Sequence, residues 1–442
     1  MTALSRASQT TAQSTPRATG LTLLGGTLAI LPLVLAVMYR TYWYHIPNEL
    51  VEATRQASLP FIIAEICVIA IAMRGGYSPV RLIQRLDPVR MIALLVFLAT
   101  FWISSATTSE MRAHSVMWAA YWPIHLLFAG AAFHLCQGAT KRQMHRLAYL
   151  TVLGLAAYVP ILVMHLAYGG PETIWNSAMP GYLSVRHLGI FCAAVLAGLL
   201  GMLWLREDEK SAHAYVVVGI LLSATLLMWS GTRSGIYAIV GASVITMIML
   251  QRAPSWRRMV QTIALLLTAL ALSFVVWMPP SGSFGMIRVL DTGGGDAGFS
   301  TGRMDIWLRM MAAFIERPFL GHGEGASLWL MQPLDLMYIQ PHNAPLQFLV
   351  SWGLIPTAAI TVFALSTWWR AIRAVRRTSW LLPCILVINS LLIIALVDGV
   401  FFFPRFIVLA MAATACCLAV NARLSLEEQS RARRPIAVRR GR

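Results

Sequence analysis

Apolar runs follow one another along this chain with short polar gaps between them. Each is long enough, or nearly so, to cross the hydrocarbon core of a bilayer as a helix. They lie at about 21–38, 58–73, 90–106, 115–136, 147–168, 188–205, 213–230, 234–251, 259–278, 345–369, 380–397 and 401–421. The second is short and contains Glu65. The pattern predicts an all-α polytopic membrane protein with about twelve transmembrane helices. With 58% hydrophobic and 12% charged residues, the composition lies far from that of a soluble domain. A net charge of +17 suggests nucleic acid only if the basic residues share a face of a soluble domain. Here they fall in the gaps between apolar runs, so topology explains them and no nucleic-acid partner is expected.

Placing the N-terminus in the cytoplasm puts 25 of the 35 Lys and Arg residues in inside segments, as the positive-inside rule requires. Both termini are then cytoplasmic. Residues 1–20, rich in Ser and Thr, read as a disordered cytoplasmic tail rather than a cleaved leader, and 422–442 as a basic cytoplasmic tail. Between them lie transmembrane helices 1–9 (21–278), an outside loop (279–344) and helices 10–12 (345–421). Only this loop, among the outside connections, is large enough to fold. In it, TGRMDIWLRMMAAFIERP predicts a helix with Met304, Ile306, Trp307, Met310, Met311 and Phe314 on one face, ended by Pro318. A second helix is expected at about 324–332, after GHGEG.

Residues 338–353, YIQPHNAPLQFLVSWG, set a His-Asn pair ahead of an apolar run. Asn343 suits an N-cap, with Pro345 in the first turn. His342 then sits at the outer membrane boundary beside a helix start that favours anions. A histidine there is suited to take a proton from an incoming hydroxyl; the plainer alternative is an interfacial residue that ends a loop. Three arginines share its side of the membrane. Arg233 lies in the tight turn WSGTRSG, Arg186 precedes His187 in GYLSVRHLG, and Arg303 opens the loop helix. Each alone could snorkel to lipid phosphates. As a set of guanidinium forks they suit a diphosphate.

Other candidates point elsewhere. Glu65, His125 and His134 would make a proton relay, hence a transporter. The loop carboxylates Asp291, Asp296, Asp305 and Glu324 form no DxD pair, so no metal and no cofactor is expected. GHGEG lacks the strand and GK[ST] of a phosphate loop, and its glycines are expected to permit a packed turn. Cys67, Cys136, Cys192, Cys384, Cys416 and Cys417 lie in apolar runs without metal spacing, and read as small hydrophobes.

Four short signals together resemble the O-antigen ligase and polymerase superfamily of bacterial envelope glycosyltransferases. They are SGTRSG, GR-x-x-x-W (Gly302, Arg303, Trp307), GHGEG, and the segment PHN through Gly353 with Leu346. The resemblance implies a class C glycosyltransferase-like bundle with a large periplasmic helical loop in the bacterial inner membrane. It implies glycan transfer from undecaprenyl diphosphate to a hydroxyl, without nucleotide sugar or metal. On that basis His342 is the expected base or acceptor-orienting residue, and Arg186, Arg233 and Arg303 bind the diphosphate. Asn343, His187, Ser234 and Gly302 support them. The reading favoured is an O-antigen ligase whose acceptor is lipid A-core oligosaccharide. The alternatives are an O-antigen polymerase, a protein O-oligosaccharyltransferase and, outside enzymes, a lipid-linked glycan transporter.

Overall fold

The computed structural model describes residues 25–26, 33–36, 50–168, 179–182, 184–205, 214–276, 285–286, 303–331 and 340–432. Among them all regular structure is helical. In chain order the helices are α1 (Leu50–Arg74), α2 (Pro79–Ile83), α3 (Pro88–Ile103), α4 (Arg112–Ala119), α5 (Tyr121–Cys136), α6 (Lys141–Tyr168), α7 (Val185–Trp204), α8 (Ala214–Trp229), α9 (Arg233–Leu250), α10 (Trp256–Val275), α11 (Arg303–Glu316), α12 (Ser327–Leu330), α13 (Ala344–Trp352), α14 (Leu354–Arg377), α15 (Leu382–Val397) and α16 (Pro404–Ala432). Eight helical stretches among the described residues are long and apolar enough to cross a membrane, and α8 is a shorter apolar helix. The chain is an all-α polytopic membrane protein. The tail 1–20, most of the first expected span, Gly302 and the chain beyond 432 lie outside the described residues.

Helix α7 is the hub, packed against α8, α9 and α15. Lipid tails are as apolar as leucine, so helices in a membrane hold together through close packing and polar contacts, and small residues at the seams permit the approach. A Cβ on Gly201 of α7 would lie 2.8 Å from the Pro383 Cα of α15. Asn389 pins three helices: its Oδ1 accepts from Trp368 Nε1 at 2.8 Å, and its Nδ2 donates to Thr246 Oγ1 at 2.8 Å.

The end of the bundle where α3 starts is held by paired charge. Asp87 caps α3, and its carboxylate accepts from Arg90 Nε at 2.6 Å and Arg370 Nη2 at 2.7 Å. The Arg90 hydrogen bonds hold this carboxyl down at about 2.

Three expectations are corrected. The apolar run 345–369 is not one helix but α13 and α14, broken at Gly353, whose φ is 77°. The break is imposed by a backbone neighbour: His322 N and Gly323 N donate to Val350 O and Ser351 O at 2.9 and 2.7 Å, and Leu354 N donates to Pro318 O at 2.7 Å. The helix expected over 324–332 is the single turn α12. On α11, Ile306 and Met310 are buried as the periodicity predicts, but Met304 and Met311 are exposed. Ala313 takes the third buried position and packs with Leu346 and Val350 of α13.

Candidate active site at the outer helix ends

Asn343 caps α13, its Oδ1 accepting from Leu346 N at 2.9 Å, and Pro345 lies in the first turn. The residue before the cap, His342, adopts a left-handed backbone with φ 52°, a conformation that costs free energy in a non-glycine residue and persists only where neighbours impose it. Two contacts impose it. His342 N donates to Gln340 Oε1 at 2.6 Å, and Trp307 Nε1 of α11 donates to Pro341 O at 2.8 Å. The buried Gln340 side chain in turn fills the place that a Cβ on Gly399 would occupy.

His342 Nδ1 lies 3.1 Å from Asp398 Oδ1, at the C-terminal end of α15. The same oxygen accepts from Gly399 N at 2.8 Å and Gln340 Nε2 at 3.3 Å. Burial raises the Asp398 carboxyl, but the His342 hydrogen bond, the field of His342 and that of Arg303 more than reverse this, holding it well below the usual carboxylate range. An ionised carboxylate only accepts, so the imidazole proton belongs on Nδ1. The 3.0 Å approach of Gln340 Nε2 to Nδ1 is then two donors gathered round one acceptor. This tautomer leaves the basic lone pair on Nε2, which is the form a general base requires.

Helix α11 reaches both members of the pair. Besides the Trp307 contact ahead of His342, Arg303 Nη1 donates to Val397 O at 2.7 Å, the carbonyl just before Asp398. On the other side, Ser184 caps α7 by accepting from His187 N at 3.3 Å, which sets Arg186 and His187 in the first turn. The His187 ring packs 4.1 Å from that of Phe403, and His187 lies within electrostatic reach of Asp398, His342 and Arg186. The turn carrying Arg233 sits against this same helix end. A Cβ on Gly189 would collide with the hydroxyls of Ser230 and Thr232, which are 2.8 Å apart. Ser234 follows in the first turn of α9, half-buried. The structure therefore joins His342, Arg303 and His187 around Asp398, seats Arg186 beside His187, and docks the Arg233 turn one helical turn along. Gly302 lies outside the described residues.

GHGEG is a brace, as expected of its glycines. Gly321, Gly323 and Gly325 have φ of 63°, 91° and 77°, and a Cβ on Gly321 would lie 2.6 Å from Gly353 N. Glu324 is buried and accepts from Trp352 Nε1 and from Trp122 Nε1 at 3.3 Å. Burial pushes its carboxyl up, against those two hydrogen bonds. Of the residues of the proton-relay reading, Glu65 and His125 face each other and His134 meets a backbone carbonyl. His125 Nδ1 lies 2.8 Å from each Glu65 oxygen, and His134 Nε2 lies 3.0 Å from Gly75 O.

Asp398, Gln340 and Gly399 were not anticipated. One signal was available for Asp398: it is a carboxylate in the very short outer connection between two apolar runs, where an acid is costly without a task. Gln340 and Gly399 carry no such mark, because their contacts join segments 58 to 59 residues apart. Arg233, Arg303 and His342 lie within residues 218–361, which match the family model described as O-antigen ligase, while a search of curated proteins finds no match. That match runs from α8 into α14 and supports the O-antigen ligase superfamily for this part of the chain.

Proposed function

We propose that the chain is an O-antigen ligase. It transfers a polymerised glycan from undecaprenyl diphosphate to a hydroxyl of lipid A-core oligosaccharide, at the periplasmic face of a bacterial inner membrane. The observation that carries this reading is the Asp398–His342 pair, 3.1 Å apart at a helix start. The acceptor hydroxyl attacks the anomeric carbon as the bond from that carbon to the diphosphate oxygen breaks. Its proton passes to His342 Nε2, and the bonding electrons leave with the lipid diphosphate. Attack opposite the leaving group inverts the anomeric centre. Arg186, Arg233 and Arg303 bind the diphosphate, whose charge grows as the bond breaks, so they stabilise the transition state more than the ground state. The developing sugar cation lessens the need for early deprotonation, so His342 also orients the acceptor. Asn343 and Gln340 fix His342, and His187 lies at the opposite wall. The loop helix α11 is periplasmic, both termini are cytoplasmic, and the transfer proceeds without metal or cofactor.

The test gives purified protein an undecaprenyl-diphosphate glycan with lipid A-core, with a second lipid-linked glycan, or with a pilin-like protein, each with and without excess EDTA. A glycan-bearing lipid A-core band in the first mixture alone, undiminished by chelator, is the expected result. Chain lengthening in the second mixture alone identifies a polymerase, and product in the third alone a protein transferase. No product in any mixture removes the enzyme reading in favour of a transporter.

A further inference from the structure

Arg405 belongs to none of the motifs above, yet it is a buried arginine at the outer end of the bundle, the second residue of α16. Its Nη2 donates to Gly181 O, and its guanidinium lies 4.2 Å over the Tyr182 ring and 4.9 Å over the Phe61 ring. No carboxylate lies within ion-pair distance of it among the described residues, and its buried Nε has no hydrogen-bond partner there. A guanidinium lying over two aromatic rings makes planar contacts that an ammonium cannot reproduce. What it grips is the turn that starts α7. Gly181 has φ 70°, Tyr182 packs against Tyr158 at 5.4 Å, and Tyr158 Oη donates to Pro180 O at 2.9 Å. Two residues after Tyr182 comes the Ser184 cap, and two after that Arg186. Arg405 and Arg186 both lie within electrostatic reach of His187.

We propose that Arg405 is a positioning residue: it holds Gly181 and Tyr182, ahead of the Ser184 cap, so that Arg186 is presented to the donor's diphosphate. The proposal rests on the reading that Arg186 binds that diphosphate. The segment from Asp398 to Arg405 then holds the base at one end and fixes an anion-binding arginine at the other. A guanidinium that spends its faces on two rings and one edge on a carbonyl acts on the ligand through the turn.

The test uses full-length protein in detergent and undecaprenyl diphosphate as the probe. Arg405→Gln and Arg186→Gln should each weaken binding about tenfold, and the double variant should be no weaker than the weaker single one, because both changes remove the same contact. Arg405→Lys keeps the charge but not the planar stack, and should resemble Arg405→Gln. Amide exchange over residues 179–188 should accelerate in both Arg405 variants and not in Arg186→Gln, with exchange elsewhere unchanged. Additive losses of about a hundredfold in the double variant would make Arg405 a direct ligand and overturn the proposal. So would wild-type binding by Arg405→Lys, or unaltered exchange in the turn. Unchanged binding by Arg186→Gln, with faster exchange in Arg405→Gln, would defeat the role given to Arg186 and leave Arg405's hold on the turn standing.

Discussion

Two carboxylate–imidazole pairs occur in this molecule, Glu65–His125 and Asp398–His342, and their settings differ in nearly every respect. Glu65 and His125 sit on regular helices, 1% and 2% exposed, with both carboxylate oxygens 2.8 Å from one ring nitrogen. Both oxygens are spent on one partner, and the pair joins α1 to α5 within the bundle. Asp398 instead shares one oxygen among His342, Gln340 and Gly399, and its imidazole rides on a left-handed backbone at a helix start beside three arginine-bearing helix ends. The same two functional groups thus join two helices in one place and, in the function proposed above, serve a reaction in the other. Backbone strain and shared acceptors mark the second.

The comparison breaks most visibly at the imidazoles. His342→Gln should reduce transfer by about a thousandfold while protein accumulates normally, within the range for a lost general base. His125→Gln should leave turnover per folded molecule within about twofold and act on stability instead. Equal effects on turnover, measured on purified protein, would end the distinction.

Asp398→Asn comes next. It removes the charge that fixes the imidazole tautomer, and transfer should fall about a hundredfold with the apparent affinity for lipid-linked donor unchanged. Because the folded-state carboxyl is depressed, its contribution to stability is complete above its unfolded value near 4 and is lost as pH falls through the folded value. The thermal midpoint of the wild type should therefore drop on acidification below about pH 4 more steeply than that of Asp398→Asn.

Glu65→Ala strands a buried imidazole and should cost about 3 kcal/mol or more, seen as a lowered thermal midpoint. The smallest effect is expected at Glu324, whose carboxyl burial pushes up. A raised folded value means that folding favours the protonated form, so stability is full at low pH and declines as pH rises above the unfolded value. Glu324→Gln should leave the thermal midpoint at pH 7 unchanged or slightly higher. A large fall would mean that the brace needs the charge.

How much of this was legible depends on the distance over which each contact acts. The spans follow from local hydropathy, and the Asn343 cap and the Arg303–Glu316 helix from residues within a few positions of one another. The break at Gly353 could not be read locally, because 345–369 is uniformly apolar and the cause lies in residues 318–323. Asp398 escaped for the same reason: its relation to His342 is purely tertiary. The charged residues at these helix ends were legible as a set, but the partner that holds the His342 imidazole was not.

The break at Gly353 also fixes where His342 stands relative to α14. Helix α14 has 24 residues, a rise of about 36 Å. Helix α13 has nine, a rise of about 14 Å, and cannot cross on its own. Its tilt is therefore set by protein contacts, through α11 and the glycine brace. The height of His342 above α14 is built into the chain, so membranes of different acyl-chain length would leave that spacing unchanged.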